Sequence, residues 1–248
     1  MAANIVDAEP RTFTAKGQAT RDRIVATAAA LMFEGNVAGT SWEDIQKAAG
    51  VNASQLYHYF GDKQTLVRAV IAHHSRNLLA SQQPLLSRLD SLDALRAWCD
   101  LLVEVQRQGD CKGGCPLGSL AGELGETSPD CRHDIAHAFD QWEASIRDGL
   151  RGMHQRGDLR PNADPDRLAT AFLAAIEGGL VLIQLHRDTA PLEAALDTML
   201  EHVSSLTVPR PTTPAPSRDS PRKPSTEDST AKPPRTGRTP GGRLHGAA

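Results

Sequence analysis

The 248-residue chain is sparing in several things at once. Aromatic residues make up 4% of it, and cysteines number four. No apolar run reads as long enough for a membrane span, which takes about 20 residues. No charged-then-apolar leader opens the chain. These absences set the expectation of a soluble, cytoplasmic protein with no membrane partner. No Ser/His/Asp set, carboxylate pair or phosphate-binding Gly loop stands out, so no catalytic residue is assigned and no enzyme is expected. The nine histidines are scattered. His133 and His137 have the spacing of a helical metal pair, but no third ligand accompanies them. Neither a metal nor a cofactor is expected.

What is present is unevenly charged. The net charge is −3, yet the segment from Pro209 onward holds eight Lys and Arg against three Asp and Glu. Residues 1–208 therefore carry 19 basic and 27 acidic groups (27 − 8 and 30 − 3), a net of −8. Nine of the 16 prolines also lie beyond Val208. Such a stretch cannot bury a core, so 208–248 reads as a disordered tail. It serves either solubility or nonspecific DNA affinity. Residues 1–17 read as a flexible basic arm, with Arg11 and Lys16 either solvated or following phosphates.

The most informative stretch is TSWEDIQKAAGVNASQLYHYFGDK, Thr40 to Lys63. Thr40 and Glu43 have capping-box spacing, and Trp42, Ile45 and Ala49 form an apolar stripe. Gly50 is suited to a left-handed helix end. Asn52 with Gln55 begins a second short helix, whose buried stripe is Leu56 and Phe60. Gly61 closes it, and Asp62 caps the next. Two capped helices around a short turn spell helix-turn-helix. The second helix presents Ala53, Ser54, Gln55, Tyr57, His58 and Tyr59, with no acid among them. Small residues, an amide and hydroxyls are what a groove reader needs. Lys63 follows, where helix N–H groups favour anions.

AAGVNASQLYHYFGDKQTL, Ala48 to Leu66, resembles the DNA-binding domain of the tetracycline-repressor (TetR) family. Ala49, Gly50, Val51, Leu56, Tyr57, Tyr59, Phe60, Lys63 and Leu66 fall on that family's motif. Asn52 takes its Ser cap position, and Ser54 stands where the family commonly has Gly. The resemblance implies an all-α dimeric repressor bound to a double-stranded operator and released by a small apolar effector. The expected contacts are Gln55 and Ser54 at bases, with Ala53 and His58 beside them. Thr40, Tyr57, Tyr59 and Lys63 are expected at phosphates, and Trp42 at the backbone edge. CKGGCPLGSLAGEL, Cys111 to Leu124, is similar to the LmrA/YxaF-like branch of the family.

The remainder reads as helices. Thr20 is suited to cap the first, which ends near Gly35, giving a three-helix head over 18–64. A larger body of 65–207 completes a total of about nine. Candidate pocket residues are Trp98, Leu102, Cys115, Leu117, Leu120, Phe139, Trp142, Ile146, Phe172 and Ile176, drawn from its apolar stripes. Helices of about 165–186 and 191–206 are expected to form the dimer bundle, the first being apolar around most of its circumference. For Cys111 and Cys115 three readings stay open: packing, redox or electrophile sensing, and metal binding. Lys112 beside Cys111 favours a thiolate and is the one sequence argument for sensing.

Overall fold

Side-chain caps decide where most of the helices begin. Thr14 opens α1 (Ala15–Gly35) by accepting the Gly17 N–H. Ser41, Asn52 and Asp62 do the same for α2 (Trp42–Ala49), α3 (Ala53–Phe60) and α4 (Lys63–Ser81). After a 3-10 turn at Leu85–Arg88, Ser91 caps α5 (Leu92–Gln108). Cys115, Ser128 and Asp164 cap α6 (Pro116–Leu124), α7 (Pro129–Gln155) and α8 (Pro165–His186), each with Pro in its first turn. That placement suits a residue with no N–H to leave unpaired. The last helix, α9 (Ala190–Ser205), has no side-chain cap.

The computed structural model describes residues 13–209. Among them are nine α-helices and no strand, with one isolated antiparallel bridge between Leu159 and Thr207. The expected arm up to residue 12 and the expected tail from residue 210 lie outside the described residues.

Two expectations about the head are corrected. The first helix starts at Ala15, not after Thr20, because Thr14 supplies the cap. Phe13 also packs on Tyr59, with ring centres 5.2 Å apart. Residues 13–17 therefore belong to the head. The first capping box is Ser41 with Asp44, not Thr40 with Glu43. The Asp44 N–H donates to Ser41 Oγ at 3.1 Å, and the Ser41 N–H donates to the Asp44 carboxylate at 3.0 Å. That hydrogen bonding to Ser41 holds the Asp44 carboxyl below its ordinary pKa.

Helices α1 to α3 pack into the head, and α4 packs on both α1 and the body helix α7. The boundary expected between residues 64 and 65 falls inside α4, so head and body share one continuous helix. Arg68 of α4 grips Asp134 of α7 through Nε at 2.6 Å and Nη2 at 3.1 Å, and Gln64 Nε2 donates to Asp130 at 3.2 Å. One core runs from Ile24 and Ile45 through Trp98 and Trp142 to Val203.

The expectation that no apolar run reaches membrane length is also corrected. Pro165–His186 has a mean hydropathy of 1.9 over an 18-residue window, long and apolar enough to cross a bilayer. Here it is a packed helix. Leu168, Phe172, Ile176, Leu180 and Ile183 are buried, and α8 lies against α7 and α9.

Candidate nucleic-acid interface and effector cavity

The sequence of α3 fixes which of its residues face outward. Leu56 and Phe60 are buried, which turns Ala53, Ser54, Gln55, Tyr57 and His58 to solvent. Gly50, at φ 62°, makes the left-handed turn that separates α2 from α3. The Gln55 side chain is partly committed, since its Oε1 accepts the Asn52 N–H at 3.1 Å. Tyr57 is 53% exposed, and its ring meets Trp42 edge-on at 5.6 Å. This contact ties the start of α2 to the outer face of α3. Tyr59 is half-buried against Phe13 and His58.

Two residues expected on that surface are otherwise engaged. Thr40 is 4% exposed, and its Oγ1 donates to the Asn36 carbonyl at 2.7 Å. Lys63 Nζ donates to the Val37 carbonyl at 2.7 Å in a partly buried contact. Both hold the loop between α1 and α2. The same loop is gripped from the body. Glu123, near the end of α6, accepts the Val37 N–H at 2.9 Å and the Ala38 N–H at 2.7 Å. Sequence reasoning missed Glu123, because its partners lie more than 80 residues away and are backbone atoms.

The opposite end of α6 lines a cavity of about 400 Å³, within the usual range for small-molecule sites. Of the ten expected pocket residues, Leu102, Cys115, Leu117, Trp142 and Ile176 line it. Leu120 lines a neighbouring cavity between α1, α4 and α6. Trp98, Phe139, Ile146 and Phe172 line neither. Trp98, Ile146 and Phe172 are fully buried in the core, and Phe139 is packed against it. The cavity gains Phe33, His74 and Gln82, none of them expected. Gly113, at φ 83°, lies so close to the tip of the Phe33 ring that a Cβ there would clash. Gln82 is 4% exposed, and its Oε1 accepts both the Trp98 indole N–H at 2.8 Å and the Trp142 indole N–H at 3.0 Å. Burial, with the His73 charge second, lowers the His74 pKa to about 4, so its ring is neutral at pH 7.

Behind Cys115 lies Glu177 of α8. One of its oxygens is buried without a hydrogen-bond partner, and burial raises its carboxyl above the ordinary value despite a bond with the Cys115 thiol. Burial raises the Cys115 thiol strongly as well, with the Glu177 charge second. It pushes Cys99 up to about 12. All four cysteines are buried and free. Lys112, the residue behind the one sequence argument for a sensing thiolate, is exposed and pairs with Asp110 at 3.2 Å. Among the described residues no three potential ligands gather around a metal position, and His137 lies beside Gln141.

On the outside of α8, Val181, Leu182 and Leu185 are exposed, Leu185 at 72%. Ala174 and Gly178 continue this stripe with small side chains. The apolar residues of α9 pack inward. Leu192, Leu196, Leu200 and Val203 are already buried within the chain.

Residues 24–70 match the profile described as bacterial regulatory proteins, tetR family, and residues 91–199 match the tetracyclin repressor-like C-terminal domain. An uncharacterized HTH-type transcriptional regulator of Lactococcus lactis is 29% identical over 73% of this chain and 91% of its own. The HTH-type transcriptional regulator LmrA of Bacillus subtilis is 27% identical over 70% of this chain and 90% of its own. A TetR transcriptional regulator from Chloroflexus aurantiacus superposes with a TM-score of 0.69 at 28% identity, covering 78% of this chain and 98% of that one. With the capped helix-turn-helix and the helical body joined through α4, these matches converge on one conclusion: the chain belongs to the tetracycline-repressor (TetR) family of DNA-binding transcriptional regulators, which are not enzymes.

Proposed function

We propose that this regulator is a repressor that leaves a near-palindromic operator when a small, largely apolar molecule fills the cavity beside α6. Two copies associate through the apolar stripe of α8, flanked by α9, and present two α3 helices to half-sites one DNA turn apart. Ser54 and the free amide end of Gln55 meet bases, with Ala53 and His58 allowing close approach. Tyr57 meets phosphate, and Trp42 braces it. Tyr59 contributes from the edge of this surface, while Thr40 and Lys63 act through the loop they hold.

The observation that carries this reading is the span of α6. Its first turn walls the cavity through Pro116 and Leu117, and Glu123 holds the loop that starts the DNA-reading hairpin. A ligand that moves α6 thereby moves Val37 and Ala38. The Arg68–Asp134 pair carries the same displacement into α4. The ligand acts only as far as it binds one state better. Tenfold weaker DNA binding takes about 1.4 kcal/mol of differential affinity.

Footprinting on the DNA upstream of the protein's own gene tests the proposal. A dyad-symmetric protected site is expected, and Tyr57→Phe should weaken binding to operator and random duplex alike. A strictly monomeric chain, or one without preference over random duplex, refutes it. Constant operator affinity while Cys111 and Cys115 are oxidised disposes of thiol sensing.

A further inference from the structure

We infer that the cavity selects uncharged, largely apolar molecules bearing one carbonyl-type hydrogen-bond acceptor, and that the Gln82 side-chain amide reads that acceptor. The inference rests on the proposed role of the cavity as the effector site and specifies its chemistry. An indole N–H only donates, so the Gln82 atom facing both Trp98 and Trp142 is the oxygen. The two indoles thus settle an orientation that is otherwise ambiguous for an amide. The NH2 group is left on the other side. No protein acceptor takes it among the described residues, and Gln82 lines the cavity while being 4% exposed. Among the described residues Glu177 Oε1 is the one buried side-chain polar atom without a partner, so the Gln82 nitrogen is open to the solvent of the cavity, and a ligand acceptor there takes the place of water.

The surroundings argue against charge on that ligand. Leu78, Leu102, Leu117, Ile176 and Leu180 supply apolar wall. His74 is neutral at pH 7. Lys112 is the one lining residue with a full positive charge; it is exposed and paired with Asp110. A carboxylate beside Gln82 would be desolvated without a buried cation to compensate, and the Glu177 carboxyl lies just behind Cys115.

Calorimetric titration of the full chain with matched probes tests this. The pairs are 1-tetralone with tetralin and benzophenone with diphenylmethane, and tetralin-1-carboxylate serves as the anion. Each ketone should bind at least tenfold more tightly than its hydrocarbon. The Gln82 NH2 resonances, assigned through their proximity to the two indole protons, should move downfield, as a new hydrogen bond requires, with ketones and not with hydrocarbons. In Gln82→Met the preference should fall below threefold. Should that variant not fold, the amide resonances of the unaltered chain decide. Equal binding of ketone and hydrocarbon overturns the donor inference and leaves an apolar effector cavity standing. Failure of every probe to bind overturns the cavity's role and this inference together. Tighter binding of the carboxylate overturns the neutral class.

Discussion

Replacing Glu123 with Ala removes a carboxylate that accepts two backbone N–H groups of the loop between α1 and α2. A hydrogen bond to a charged group contributes about 1.5 kcal/mol or more. Two give about 3 kcal/mol, and the exposure of the Ala38 contact brings the sum to about 2 kcal/mol. That energy sits locally, because Val37 and Ala38 belong to a connection rather than to a helix. The opening equilibrium of the loop should therefore rise about 30-fold, which native-state amide exchange measures at the Val37 and Ala38 N–H groups. For a chain of this size the melting temperature should fall by about 4–8 °C. Amides in the middle of α7 should change only as the global stability does. Exchange at Val37 and Ala38 that matches the unaltered protein would refute the clamp, and with it the path from cavity to head.

Lys63→Ala should destabilise the head by about 1 kcal/mol in urea titration and leave the salt dependence of DNA binding unchanged; a slope reduced by one would return Lys63 to the phosphate contacts. His74 is held near 4 when folded against about 6.5 when unfolded, so the unfolded chain takes up the proton first. Stability should fall as pH drops from about 6.5 to 4, by about 2 kcal/mol after allowance for partial exposure, and His74→Gln should flatten that limb of the urea-stability profile. Glu177 has the opposite sign, since its folded carboxyl is raised by burial. Its contribution is lost as pH rises above the ordinary Glu range, so Glu177→Gln should raise the melting temperature more at pH 8 than at pH 4.5. Leu185→Lys, on the exposed stripe of α8, should shift sedimentation toward monomer and abolish footprinting without lowering monomer helicity.

Much of the head was legible because its signals are local. Gly50, Asn52, Gln55 and Asp62 each do within four residues what their spacing says. The first capping box slipped by one residue because Thr40 and Ser41 both have a hydroxyl and an acid three places on. Burial decided between them, and only the packed loop shows that Thr40 is inside. In the body, stripes identify buried faces but not which buried residues border empty space. Trp98 and Trp142 look alike in sequence, yet only Trp142 reaches the cavity. Gln82, Glu123 and His74 left no signal, because each matters through partners far away in the chain. The same holds for Lys63, whose family position is clear and whose partner, the Val37 carbonyl, is not.

The Val37 carbonyl and the Ala38 N–H belong to a single peptide group. A cation, Lys63, sits on its oxygen and an anion, Glu123, on its hydrogen. The two charges polarise one amide plane from opposite ends, so each bond strengthens the other. Loss of either partner should cost more than half of the joint effect, which a double-mutant cycle reads as non-additivity. Since the bridge is made of main chain, side-chain drift at positions 37 and 38 leaves it intact, and a proline at 38 severs it.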